Sequence, residues 1–221
     1  MVNKAAQLAL KFFVVISFVA ISSGSEARLE RRLQKIFRAP LIVGASVSAG
    51  HGTASPGDVA SLRFVGRAQI TNIARDGAYG KEFANVAVSD LSRYSVIIGV
   101  DFLFWDSTLS DLSESQYVLH QFIRSARRAG VPLVLGDIPK LLPFIQDVGR
   151  DRLNEQIHAE CLPKYHCRIL KLDQLHQIAE TGGLLIEGRL YHYGDLTADG
   201  LHLKPIASRH LARKIIELLE D

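Results

Sequence analysis

Asp199 and His202 stand three residues apart in "DLTADGLHLK", residues 195–204, a polar turn just before a closing amphipathic segment. At that spacing a carboxylate can hold one imidazole nitrogen and leave the other to carry a proton. Such a base needs a nucleophile, and a serine hydroxyl attacks a carbonyl only when a base takes its proton. Ser46 suits that part. It lies in "VGASVSAG", residues 43–50, where Gly44, Ala45 and Gly50 permit a tight turn with backbone N–H groups beside the hydroxyl. Taken singly, each stretch has a plainer reading. The first is a capped turn, in which Asp195 is only a turn residue. The second is a glycine-rich strand-to-helix turn, although it matches neither the phosphate-loop pattern ending in Gly-Lys nor Gly-x-Gly-x-x-Gly.

The chain must bring these distant residues together, and its hydropathy pattern says how. Short aliphatic runs, "APLIVGAS" (39–46), "AQITNIA" (68–74), "RYSVIIGVD" (93–101), "GVPLVLGDI" (130–138) and "CRILKLD" (167–173), read as five strands. Amphipathic stretches at 57–66, 80–91, 113–130, 144–162 and 205–220 read as helices, with Ser113 as N-cap and Gly130 just past the end of the third. Strands alternating with helices predict right-handed crossovers and a parallel sheet buried on both faces. The expected fold class is α/β, a three-layer α/β/α sandwich in which ligands meet the carboxyl ends of the strands. Ser46 then sits after the first strand, Asp101 after the third and Asp137 after the fourth.

The 221 residues suffice for one domain, and neither a linker nor an internal repeat marks a second. The formal charge of +3 is small and its basic residues are scattered, so no nucleic-acid partner is expected. Lys4 and Lys11 flank or interrupt an apolar stretch whose core, "FFVVISFVAI" (12–21), leads into the small residues Ser25 and Ala27. This pattern predicts a signal peptide over 1–27 and a single domain over 28–221, the plainer alternative being an uncleaved N-terminal anchor. The run is short of the roughly 20 residues that span a bilayer, so no stable membrane span is expected after cleavage. The protein is then exported, periplasmic or secreted. In that oxidising setting Cys161 and Cys167, which enclose five residues, are expected to form a disulfide pinning a helix end to the next strand. His158 and His166 lie near them at no zinc spacing, so no metal is expected.

Together these segments resemble the SGNH/GDSL hydrolases, a family of serine esterases, lipases and acyl hydrolases on a flavodoxin-like five-stranded parallel sheet. "IVGASVSAG" is similar to the first block, "NIARDGAYG" (72–80) to the second, "SVIIGVDFLFWD" (95–106) stands at the third, and "DLTADGLHLKPIASRHLA" resembles the last. The likeness spans roughly residues 39–219. It implies Ser46 as nucleophile, His202 as general base and Asp199 as its orienting acid, with the Ser46 and Gly77 N–H groups as oxyanion donors. It also implies an acyl ester as substrate, whether small molecule, lipid or glycan, and no cofactor.

Two positions depart from the pattern. Ala45 stands where the family has aspartate before the serine, which alters local turn geometry and leaves the triad whole. Asp101 stands where the third block supplies an asparagine to the oxyanion hole, and an ionised carboxylate has no proton to donate. Three arrangements are open: a protonated Asp101 beside Phe102, Phe104 and Trp105; a two-donor hole with Asp101 turned to a substrate hydroxyl or Arg75; or an inactive site. Phe102, Trp105 and Tyr193 are candidate substrate contacts, each with core or loop packing as the plainer reading. The overall expectation is an exported serine hydrolase. Its alternatives are an acyltransferase with the same triad and a non-catalytic ligand-binding domain.

Overall fold

A computed structural model describes residues 25–142 and 147–220. Each aliphatic run contributes a strand: β1 (Pro40–Ile42), β2 (Thr71–Asn72), β3 (Val96–Gly99), β4 (Leu133–Gly136) and β5 (Cys167–Leu170). They form one parallel sheet in the order β2-β1-β3-β4-β5. Thr71, Leu41, Ile97, Leu133 and Cys167 stand in one row across it. Alternation along each strand fills both faces. Leu41, Ile97 and Leu133 join one core cluster, whereas Val96, Ile98 and Val134 join another.

On the first face lie α4 (Ala84–Ala87), α5 (Ser113–Ala129) and α6 (Asp147–Glu160). The α5 helix buries Val118, Leu119, Phe122, Ile123 and Ala126, a stripe at helical spacing. Gly130 ends it in the left-handed conformation, as expected. Its start corrects the expectation: Ser113 is the first helical residue, and its N–H donates to Asp111 Oδ1 at 2.9 Å. On the second face lie α1 (residues 25–36), α3 (Pro56–Leu62) and α9 (Pro205–Glu220), through Leu33, Ala60, Leu211 and Ile215 among others. The α/β/α sandwich expected from the sequence is therefore present.

Four features had no sequence expectation. Helix α1 begins before residue 28, and most of the expected signal segment lies outside the described residues, as do residues 144–146 of the expected helix before α6. Helix α7 (Leu172–Thr181) is followed by an antiparallel hairpin, β6 (Leu184–Ile186) with β7 (Arg189–Tyr191), and the short α8 (Tyr193–Leu196). These pack with α9 into a third small cluster around Ala179, Ile186, Leu196 and Ala207.

Cys161, just past α6, is bonded to Cys167, the first residue of β5, with Cα atoms 5.0 Å apart. Closing so short a loop contributes about 2 kcal/mol through the unfolded chain. Replacing both cysteines by serine is therefore expected to lower the melting temperature by about 4–8 °C. Thermal unfolding of the wild type with and without reductant checks it independently.

Candidate active site

Strand β1 ends at Ile42, and the chain turns sharply through Gly44 into the four-residue helix α2 (Ser46–Ala49). Gly44 has φ +136°, and a Cβ there would meet Asp101 Oδ1 at 2.5 Å, so only glycine fits. Ser46 opens the helix. Helix starts leave backbone N–H groups without partners, and a carboxylate satisfies them well. Asp101, two residues past β3, supplies it. Its Oδ1 accepts from Ala45 N–H at 3.0 Å and Ser48 N–H at 3.1 Å, and its Oδ2 from Val47 N–H at 2.8 Å. Burial pushes the Asp101 carboxyl up from its ordinary range, while the Ser48 hydroxyl and these amides pull it back.

Asp101 is thus engaged with the turn and not with Arg75, one of the partners considered for it. Arg75 instead lies 3.6 Å from Glu82. In this arrangement Asp101 accepts from the backbone of the turn through both its oxygens. Of the four N–H groups from Ala45 to Ser48, it leaves only that of Ser46. Among the described residues neither the Ser46 N–H nor its hydroxyl has a hydrogen-bond partner. The same holds for the N–H of Gly77, which has φ +69° in the turn after β2. That turn is tied to the Ser46 loop: Arg75 N–H donates to Gly44 O at 3.1 Å, and Asn72 Nδ2 to Ser48 O at 3.0 Å.

The Asp199 turn is stapled by its own backbone. Thr197 and Leu203 form an antiparallel bridge, Ala198 N–H donates to His202 O, and Gly200 takes φ +83°. Asp199 Oδ1 accepts from the N–H groups of His202 at 2.7 Å and Leu201 at 2.9 Å, and Oδ2 meets His202 Nδ1 at 2.6 Å. The bonds from His202 hold the Asp199 carboxyl well below the usual carboxylate range. Nδ1 is thereby committed to Asp199, and Nε2 remains to face a reacting group. Tyr193 braces the turn: its hydroxyl donates to Gly200 O at 2.6 Å, and burial pushes that phenol up to about 12, keeping its proton in place.

Ser46 and both neighbours of His202, Leu201 and Leu203, line one cavity, as do Asp101, Trp105 and Tyr193. Ser46 and His202 make no hydrogen bond to each other. Phe102 contributes to the wall from the core side. It is 2% exposed and packed between Phe83 and Phe122 at ring distances of 5.7 and 5.1 Å, so it is chiefly a core residue. Asp137 accepts from the Asp173 N–H at the start of α7, at 2.9 Å.

One pair escaped the reading of the sequence. The His51 ring packs on the His202 ring, centroids 4.3 Å apart and planes tilted by 31°, and its Nδ1 meets Asp76 Oδ2 at 2.7 Å. His51 N–H also donates to Ser46 O at 2.9 Å. Two histidine–aspartate pairs thus meet beside Ser46. The clues were local: His51 lies five residues after Ser46, and Asp76 just before Gly77.

No family model and no curated protein sequence matches the chain. Solved structures do. A psychrotrophic esterase, EstA, from Pseudoalteromonas sp., in a form inhibited by monoethylphosphonate, matches with a TM-score of 0.56 at 14% identity, over 83% of this chain and 97% of that one. TesA matches with a TM-score of 0.54 at 17% identity, over 82% and 97%. A GDSL-like lipase from Bacteroides thetaiotaomicron matches with a TM-score of 0.54 at 13% identity, over 82% and 88%. Over most of its length, the chain has the fold of the GDSL-type esterases and lipases.

Proposed function

We propose that this protein is a serine esterase in which Ser46, His202 and Asp199 act as a triad on an acyl ester. The observation that carries the reading is the pairing of His202 Nδ1 with Asp199, which leaves Nε2 available beside a turn where Asp101 occupies every amide but that of Ser46. In the mechanism, Ser46 Oγ attacks the ester carbonyl carbon while His202 Nε2 takes its proton. The oxyanion is held by the Ser46 and Gly77 N–H groups. His202 then protonates the leaving alcohol, giving an acyl-serine. Water, deprotonated by the same nitrogen, releases the acid and restores Ser46. Asp199, held ionised by its hydrogen bonds, stabilises the imidazolium that forms twice per cycle.

With its charge directed to the backbone of the Ser46 turn, Asp101 no longer favours a non-catalytic ligand-binding module. Residues 1–27 are read as an export signal. The Cys161–Cys167 bond supports this, and no helix among the described residues is long and apolar enough to cross a membrane. The direct test is labelling of purified protein with a fluorophosphonate, followed by peptide mass spectrometry. A single adduct on Ser46 is expected; an unlabelled Ser46 in folded protein overturns the triad.

His51 is assigned a positioning part, through its ring contact with His202. Such a contact contributes about 0.5–1.5 kcal/mol, so His51→Ala is expected to lower kcat about three- to tenfold with little change in KM. His51→Phe keeps a ring there and should restore most of the loss. Steady-state kinetics of both variants separate this part from a purely structural one.

A further inference from the structure

The cavity beside Ser46 has walls that the hydrolytic mechanism does not use. From α7 it takes Leu172, Leu175, His176 and Ala179, the i, i+3, i+4, i+7 face of that helix. Ile186 of the hairpin joins them, and Ala207 and Leu211 of α9 also line it. The lining is overwhelmingly apolar. His210, also in the wall, is itself buried, and burial pushes its imidazole down from the ordinary value, so it presents an uncharged ring. Asp101 and Asp137 also reach the cavity, Asp101 bonded to the amides of the Ser46 turn and Asp137 to the Asp173 N–H and, at 3.4 Å, to His158 Nε2. An apolar void continuous with a nucleophile selects the apolar part of whatever that nucleophile attacks. Its volume is about 120 Å³. An apolar void of roughly 150 Å³ takes one benzene ring, so this one has room for about five or six carbons.

We infer that the cavity walled by α7, the β6–β7 hairpin and α9 is an acyl-chain pocket, and that the substrate is an ester of a straight-chain acid of about six carbons. The inference rests on the esterase reading for its reaction and on the cavity alone for its selectivity. Each methylene that enters adds about fourfold in kcat/KM, until the pocket is full.

The test measures kcat/KM for p-nitrophenyl esters from acetate to dodecanoate in the wild type, Ala179→Leu and Leu175→Ala. The expected optimum lies near hexanoate, more than tenfold above acetate and dodecanoate. Ala179→Leu fills the space of two to three carbons and moves the optimum to shorter chains. Leu175→Ala opens a similar space and moves it to longer ones. Should Ala179→Leu fail to fold, as judged by circular dichroism, the Leu175→Ala shift decides. Binding of ethyl hexanoate and ethyl acetate to Ser46→Ala by ligand-observed NMR supplies the arm that needs no turnover. Ser46-dependent hydrolysis whose chain-length profile is flat, or unmoved in the folded variants, overturns the pocket and leaves the esterase standing. Absent hydrolysis with at least tenfold preferential binding of ethyl hexanoate upholds the pocket and overturns the esterase. Absence of both overturns both.

Discussion

Ser46→Ala is expected to reduce kcat on a p-nitrophenyl ester by about 10⁶-fold, to the residue of rate that an oxyanion hole and binding alone provide. The size follows from the division of labour. Without the hydroxyl there is no acyl-serine, and His202 has no proton to take. His202→Ala should cost about as much, and the double variant no more than either, because the two act as one unit. Asp199→Asn should cost about 10⁴-fold, since the amide can hold the ring in the wrong tautomer. The fold should not notice the loss of Ser46. Its hydroxyl has no hydrogen-bond partner among the described residues, so the melting temperature should move by no more than about 2 °C. A comparable loss of activity accompanied by unfolding would defeat the assignment.

Asp101→Asn is the second large effect, and its sign is diagnostic. Were Asp101 merely a defective oxyanion donor, asparagine would supply the missing N–H and raise the rate. The geometry predicts the reverse. Oδ1 serves two amides and Oδ2 one, so an asparagine keeps its carbonyl toward Ala45 and Ser48. Its NH₂ then faces the Val47 N–H, donor against donor. The turn must shift to relieve this, and a displacement near 1 Å at a reacting group costs about 10²-fold in rate. A drop of that order in kcat is expected, and a gain would overturn the structural role. Stability should respond to pH as well. The carboxyl is raised on folding, so the folded state holds its proton more tightly than the unfolded state between 3.8 and the folded value. The contribution of Asp101 to stability therefore declines as pH rises through that window. Melting temperatures measured against pH should lose this slope in the asparagine variant.

The sheet was legible because each strand announces itself as a short aliphatic run between turn residues. Two-face burial then leaves few ways to arrange five of them. The role of Asp101 was not legible. From sequence it occupies the position of an oxyanion asparagine, and only the adjacency of β3 to β1 shows that its carboxylate reaches the amides around Ser46. His51 was missed for a similar reason: its partner Asp76 lies 25 residues away, joined through two loops that the sheet order brings together. The hairpin escaped because its strands are three residues long and largely exposed, with too few alternating positions to show a period.

The third cluster, around Ala179, Ile186, Leu196 and Ala207, is distinct from the two that clamp the sheet. Of the proposed pocket's wall, Ala179, Ile186 and Ala207 belong to this third cluster, whereas Leu172, Leu175 and Leu211 are shared with the second core of the sheet. Ala179, Ile186 and Ala207 are therefore the places where the proposed specificity can drift at least cost to the two cores of the sheet. In a library of variants, substitutions there should alter which esters are consumed far more readily than they alter expression.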